Sequence, residues 1–121
     1  MINILFLLGL AQASDVYEGC VVTRQTWSDI QQDWNTTRVD SYYSQDPVQF
    51  IIHKNTFEVN RYTRNIESKY NESGNQCWKE HKNSFFCFIK EDNLIIWEFH
   101  HRNGDVTRDV MKICKINGEE P

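Results

Sequence analysis

Four cysteines, Cys20, Cys77, Cys87 and Cys114, constrain the fold of this chain of 121 residues more than any other feature. They are spread over most of its length, so any disulfides between them link distant segments. An even number of cysteines in a small chain is typical of a disulfide framework when the protein folds in an oxidising compartment. The compartment therefore decides how these residues are interpreted.

The first 13 residues, MINILFLLGLAQA, have the pattern of a cleaved secretory signal peptide. A short apolar run is followed by the triplet AQA, which fits the small-residue rule for a cleavage site. The run is too short to span a hydrocarbon layer of about 30 Å. We therefore predict a signal peptide at residues 1–13, one secreted domain at residues 14–121, and no membrane anchor.

Two glycosylation sequons agree with secretion, and they begin at Asn35 and Asn71. We predict both asparagines as glycan acceptors in a secreted protein. In the same compartment the four cysteines are expected to form two disulfides, for which three pairings are possible.

The charges of the chain argue against a nucleic-acid partner. The net charge is −4, from 13 basic and 17 acidic residues, and the sequence has no basic run. A protein without a basic stripe cannot neutralise many phosphates, so we expect no nucleic-acid partner. We also expect no metal and no cofactor. His100 and His101 are adjacent and would point to opposite faces of a strand.

From Pro47 onward the sequence has a β pattern, with short apolar runs separated by turn signals such as Asn103-Gly104. Seven or eight short strands at near-regular spacing predict a mainly β fold, either an antiparallel β-barrel or a sandwich. The predicted strands are 16–24, 48–54, 57–63, 66–70, 76–80, 84–90, 94–101 and 106–116.

One short N-terminal helix is predicted over residues 26–34. Trp27, Ile30 and Trp34 have helical spacing, and Ser28 with Gln31 forms a capping-box pattern. A long structured loop is the alternative for this segment.

The predicted hairpins also favour one disulfide pairing. Cys77 and Cys87 lie symmetrically about Lys82, the middle of a predicted turn, so they should face each other. By elimination Cys20 pairs with Cys114, which would stabilise the fold by about 4 kcal/mol through loop closure. A link between the first and last strands suits a barrel.

Two family resemblances suggest different functions. Cys20, Trp34 and Cys87 resemble the Cys…Trp…Cys pattern of the immunoglobulin fold. That resemblance implies a Cys20–Cys87 disulfide and a module that binds an extracellular protein, such as a decoy, an inhibitor or a host-directed effector.

The second resemblance is to lipocalins and related calycin barrels. A segment with Trp27 and Trp34 precedes a series of hairpins, of which 50–59 resembles the early ones, and Cys114 links the end of the barrel. The resemblance implies a carrier or scavenger of a small apolar or amphipathic ligand. The candidate lining residues are Phe50, Phe57, Tyr62, Trp78, Phe86, Phe88, Trp97 and Phe99.

The enzyme hypothesis to test first is a small secreted ribonuclease, which would use imidazoles, a carboxylate and a cation. The candidates are Glu98, His100, His101, Lys54 and Arg102. No nuclease motif surrounds them, so we expect a secreted, non-enzymatic binding protein. The carrier is the leading hypothesis and the protein–protein module is the alternative, with the oligomeric state left open.

Overall fold

The computed structural model describes residues 14–41, 47–80 and 83–121, which form nine antiparallel strands and no helix. The predicted signal peptide lies outside the described residues. The strands are β1 (Asp15–Ser28), β2 (Asp33–Ser41), β3 (Val48–Ile52), β4 (Thr56–Val59), β5 (Tyr62–Glu72), β6 (Asn75–Glu80), β7 (Ser84–Ile89), β8 (Leu94–His100) and β9 (Val106–Ile116).

The strands close into an antiparallel barrel with eight positions around the ring. From β3 to β9 each strand pairs with the next, and β9 pairs with β1 to close the sheet. β2 and β3 occupy one position, because β3 pairs with β1 up to Gly19 and β2 pairs with the same edge from Val21 onward. The prediction of an antiparallel β fold is confirmed, and of its two forms the structure is the barrel.

Several turns use residues that tolerate a positive φ. Asn60 (φ 48°) lies between β4 and β5, and Asn93 (φ 53°) lies between β7 and β8. The predicted turn at Asn103-Gly104 is confirmed, since Gly104 has φ 95° and donates a backbone hydrogen bond to His101 O. The spacing of turn signals therefore placed most strands correctly. The predicted strands 57–63 and 66–70 are wrong, because a turn at Asn60 and Arg61 interrupts the first and the second is part of β5.

The predicted N-terminal helix is wrong, because residues 26–34 form the tip of the β1–β2 hairpin. Trp27 and Trp34 are cross-strand partners with ring centroids 5.4 Å apart and planes at 69°. Ser28 Oγ accepts a hydrogen bond from Gln31 N, as in a helix cap, but here the bond closes a turn. Ile30 is 97% exposed while Trp27 and Trp34 are partly buried, so the three helically spaced residues do not share a buried face.

Two disulfides link the barrel, as predicted. Cys77 and Cys87 are register partners on β6 and β7 and are bonded to each other. Cys20 on β1 is bonded to Cys114 on β9, across the strands that close the ring. The Cys20–Cys87 bond implied by the immunoglobulin resemblance is therefore not formed.

Aromatic side chains fill the middle of the barrel. Phe50 lies 5.3 Å from Phe57 and 5.0 Å from Phe86, measured between ring centroids. Trp78 stacks on Phe86 at 4.9 Å. An eight-stranded barrel is just wide enough to be filled by side chains or to hold one small ligand. In this protein aromatic side chains take the central space.

Candidate functional site

An open cleft of about 380 Å³ lies at one end of the barrel, beside the turn between β4 and β5. We call this cleft the mouth. It is lined by Arg24, Val59, Asn60, Tyr62, Arg64, Trp97, Phe99 and Asp109. Most of these residues belong to β1, β4, β5, β8 and β9, and their side chains project inward because alternate residues of a strand share one face.

A smaller cavity of about 70 Å³ adjoins the mouth inside the barrel. The two spaces share Val59, Trp97 and Asp109. The other residues of the cavity wall are apolar, namely Val22, Val48, Phe50, Ile95 and Met111. The barrel thus offers an exposed aromatic cleft with a short apolar extension below it.

The structure divides the predicted lining residues into two groups. Tyr62, Trp97 and Phe99 line the mouth, and Phe50 lines the cavity below it. Tyr62 lies at the rim and is 78% exposed. The other four, Phe57, Trp78, Phe86 and Phe88, belong to the packed interior, and Trp78 also lines a cleft at the opposite end of the barrel.

A bidentate ion pair crosses one wall of the mouth. Arg24 Nε and Nη2 donate to the two carboxylate oxygens of Asp109 at 2.7 and 2.8 Å. The hydrogen bond to Asp109 is the largest cause of the raised pKa of Arg24, and the charges of Asp109 and Asp40 add to it against the effect of burial. Arg24 therefore keeps its positive charge at the mouth.

A second arginine approaches the mouth from β5. Arg64 donates to both carboxylate oxygens of Glu80 at 3.2 and 3.0 Å, and its guanidinium lies 5.5 Å from the centroid of the Trp97 ring. Glu80 is 5% exposed and also accepts a hydrogen bond from Ser84 Oγ at 2.6 Å. These charged residues were not among those predicted from the sequence. In the sequence they can be recognised as charged residues at strand positions whose side chains face inward.

Trp97 also carries a polar atom without a partner. Its indole Nε1 is buried and has no hydrogen-bond acceptor among the described residues. Buried polar groups are nearly always hydrogen-bonded, to protein or to other molecules. This nitrogen is enclosed by the protein, so the part of Trp97 that faces the mouth is its ring surface.

A different depression of about 420 Å³, the outer groove, lies on the outside of β5 to β9. It is lined by Tyr70, Glu72, Phe85, Cys87, Ile89, Ile96, Glu98, His100 and Arg108. Burial, followed by the charges of Glu72 and Glu98, raises the pKa of Tyr70. Burial lowers the pKa of Arg108, and this guanidinium lies 4.1 Å from the centroid of the Trp34 ring.

The ribonuclease candidates are only partly brought together. Glu98 and His100 are paired on the outer groove at 2.6 Å. His101 contacts the hydroxyl of Thr107 instead. Lys54 lies in a cleft at the opposite end of the barrel, so it cannot join the other candidates at one phosphate.

Among the described residues, one group of side chains lies close enough to surround a metal ion, namely Glu72, Cys77 and Cys87. The two sulfurs of this group are joined in a disulfide, so neither can act as a thiolate ligand. In the same part of the chain, no helix is long and apolar enough to span a membrane.

The chain has no match among protein-family models, curated proteins or solved structures. Its class is therefore defined by its own fold, an all-β antiparallel barrel that is linked by two disulfides. Disulfides of this kind are consistent with an extracellular protein.

Proposed function

We propose that this protein is a secreted, non-enzymatic binding protein that holds a small amphipathic ligand at the mouth of the barrel, as a lipocalin-like carrier does. The observation that carries the proposal is the junction of an open cleft with an apolar cavity, which share Val59, Trp97 and Asp109. A concave apolar site with a few polar groups is the usual form of a small-molecule site. The signal-peptide pattern and the disulfides support secretion.

The volumes restrict the size of the buried part of the ligand. The cavity of about 70 Å³ is roughly half of a cavity of about 150 Å³ that admits benzene. It can take the end of an aliphatic chain but not an aromatic ring. The rest of the ligand would lie in the mouth, against Trp97, Phe99 and Tyr62.

The polar groups of the mouth favour a ligand with an oxygen acceptor. Arg24 uses Nε and Nη2 for Asp109, so further guanidinium donors remain available. A medium-chain carboxylate combines a flexible apolar end with such an acceptor, and it serves as the probe.

The proposal is tested by calorimetric titration of the secreted protein with octanoate. Phe99→Ala removes an aromatic contact from the mouth and should weaken binding about tenfold, as expected for the loss of a large apolar contact. Val59→Phe should also weaken binding because it fills the shared space. The matched control is Phe85→Ala, which removes a ring from the outer groove and should bind octanoate like the wild type.

Two results would contradict the proposal. Octanoate could fail to bind, or Phe85→Ala could weaken binding as much as Phe99→Ala does. Far-UV circular dichroism of each variant establishes that the fold is retained.

A further inference from the structure

Strand β2 has one unpaired edge. It pairs with residues 21–28 of β1, and none of the other described strands packs against it. Most of its nine residues are exposed. An exposed edge presents a row of unpaired backbone N–H and C=O groups, and such a row is a template for pairing with a further strand.

A β-bulge divides β2 into two parts. The register with β1 shifts by one residue between Arg24 and Gln25, which leaves Thr37 as the extra residue on β2. A bulge bends its strand and interrupts the ladder of hydrogen bonds. The regular part of the free edge is therefore residues 38–41, and the predicted glycan acceptor Asn35 lies on the other side of the bulge.

The regular part of the edge carries one apolar residue between two opposite charges. Val39 is 59% exposed. Arg38 Nε and Asp40 Oδ2 lie 2.8 Å apart, and the side chain of Arg38 is 71% exposed. Arg38 lies opposite Arg24, which lines the mouth, so the charged pair is on the inner face of the sheet and Val39 is on the outer face.

This short sequence is complementary to itself when two copies run antiparallel. With Val39 opposite the partner's Val39, each Arg38 lies opposite the partner's Asp40. Opposite charges and pairs of β-branched residues are both favourable between antiparallel strands. A pairing centred on Arg38 or on Asp40 would instead place two like charges opposite each other. The charge pattern therefore favours the pairing that is centred on Val39.

We propose that β2 pairs with β2 of a second copy of this chain, antiparallel and centred on Val39, so that two barrels share one sheet. Both copies use the same edge, so the contact is closed and assembly ends at a dimer. The paired segment is short, and interfaces below about 1,200 Å² are weak or transient. We therefore expect a monomer–dimer equilibrium. It is independent of the proposed ligand, because no residue of β2 lines the mouth.

Sedimentation equilibrium of the secreted protein tests for the dimer. The protein is measured from about 10 μM to about 1 mM, the range in which weak interfaces associate. The average mass should rise from that of the monomer towards twice that value. Over the same range, hydrogen exchange of the backbone amides of residues 38–41 should slow, because the outward N–H groups gain acceptors in the dimer.

Two charge reversals test the register. Arg38→Asp places a carboxylate opposite the partner's Asp40, and Asp40→Arg places a guanidinium opposite the partner's Arg38. Each variant alone should dimerise at least about tenfold more weakly than the wild type, because like charges then face each other. An equimolar mixture of the two variants should form a mixed dimer, in which every facing pair has opposite charges. Both variants keep a negative net charge, so general attraction between them does not explain a mixed dimer.

The matched control is Lys112→Asp, which makes the same change of charge as Arg38→Asp. Lys112 is exposed on β9, a strand that is paired along both edges, so this variant should dimerise like the wild type. The proposal is overturned if the wild type stays monomeric over the whole concentration range. It is also overturned if either charge reversal dimerises like the wild type, or if the mixture forms no mixed dimer. Far-UV circular dichroism establishes that each variant keeps the fold.

Discussion

Gly19 on β1 packs directly against the side chain of Met111 on β9, where the barrel closes. A Cβ atom placed on Gly19 would lie 2.2 Å from Met111 Cγ and 2.3 Å from Met111 Sδ. Both residues are buried, and they belong to paired strands. The close packing of these two strands therefore depends on the missing side chain of Gly19.

Gly19→Ala should lower the free energy of unfolding by about 1–3 kcal/mol, because the added methyl group overpacks the core. Guanidinium unfolding followed by tryptophan fluorescence measures the change. Met111→Ala creates space at the same point, so in the double variant the cost of Gly19→Ala should largely disappear. Simple additivity of the two single changes would contradict this packing relationship.

The hairpin at residues 26–34 has a spectroscopic signature that a helix would not give. Trp27 and Trp34 are held edge to face at 5.4 Å, and such a pair should produce an exciton couplet in far-UV circular dichroism. Trp34→Phe should abolish the couplet. Ile30→Ala should preserve it, because Ile30 is 97% exposed at the tip. Loss of the couplet in Ile30→Ala would argue against the hairpin.

Most of the strands could be predicted because their turns are local. The pairing of Cys77 with Cys87 followed from their symmetry about one turn, and the register confirms it. The segment with Trp27 and Trp34 was misread, since a spacing of seven residues fits both a helix face and a pair across a hairpin. The hairpin is favoured over the helix by contacts with residues distant in sequence, such as the guanidinium of Arg108 over the Trp34 ring.

The site was harder to predict than the fold. Both faces of β7 and β8 are apolar, so the sequence could not separate the residues that face inward, such as Phe86, from outward ones, such as Phe85. Closure of the ring decides between them, because it sets which face becomes the interior. The Arg24–Asp109 pair joins residues 85 positions apart, and no local sequence pattern predicts it.

Tyr17 should make the stability depend on pH in the alkaline range. Burial, with a smaller effect of the charge on Asp15, raises the pKa of Tyr17 from 10.0 to about 12. The folded protein thus holds this proton more tightly than the unfolded chain. The stabilisation that arises from this difference in the pKa of Tyr17 is fully present below pH 10 and is lost as the pH rises to about 12.

Unfolding free energies measured across this pH window check the effect. Tyr17→Phe cannot ionise at this position, so it should lose less stability than the wild type between pH 10 and 12. Tyr62→Phe changes a tyrosine that is 78% exposed, and it should follow the wild type. Parallel curves for Tyr17→Phe and the wild type would contradict the prediction.

The two disulfides should contribute unequally to stability. The Cys20–Cys114 bond spans 94 residues and the Cys77–Cys87 bond spans 10. In the chain-entropy model the longer loop contributes about 4–5 kcal/mol and the shorter one about 3 kcal/mol. Replacing each pair by alanines and measuring denaturant unfolding should reproduce this order, and a reversed order would show that local packing around Cys77 dominates.

The ion pair between Arg64 and Glu80 should matter more than exposed pairs do. Arg64→Met leaves the buried carboxylate of Glu80 with Ser84 Oγ as its remaining hydrogen-bond donor among the described residues and should cost about 2 kcal/mol. Adding Glu80→Gln should recover part of this loss. Lys79→Met breaks the exposed pair with Glu67 and should cost under about 1 kcal/mol. Equal losses for Arg64→Met and Lys79→Met would contradict the burial argument.

The pairing of β1 with β9 closes the barrel into a continuous ring of strands. Beyond the Cys20–Cys114 bond, Val16 and Asn117 exchange hydrogen bonds at 2.7 and 2.8 Å, so both ends of the described chain lie side by side. A short peptide could join those ends, and the backbone could then be cut at another hairpin turn. Circular permutants should therefore fold to the same barrel, because strand pairing and the Cys20–Cys114 disulfide hold the ring together wherever the chain begins.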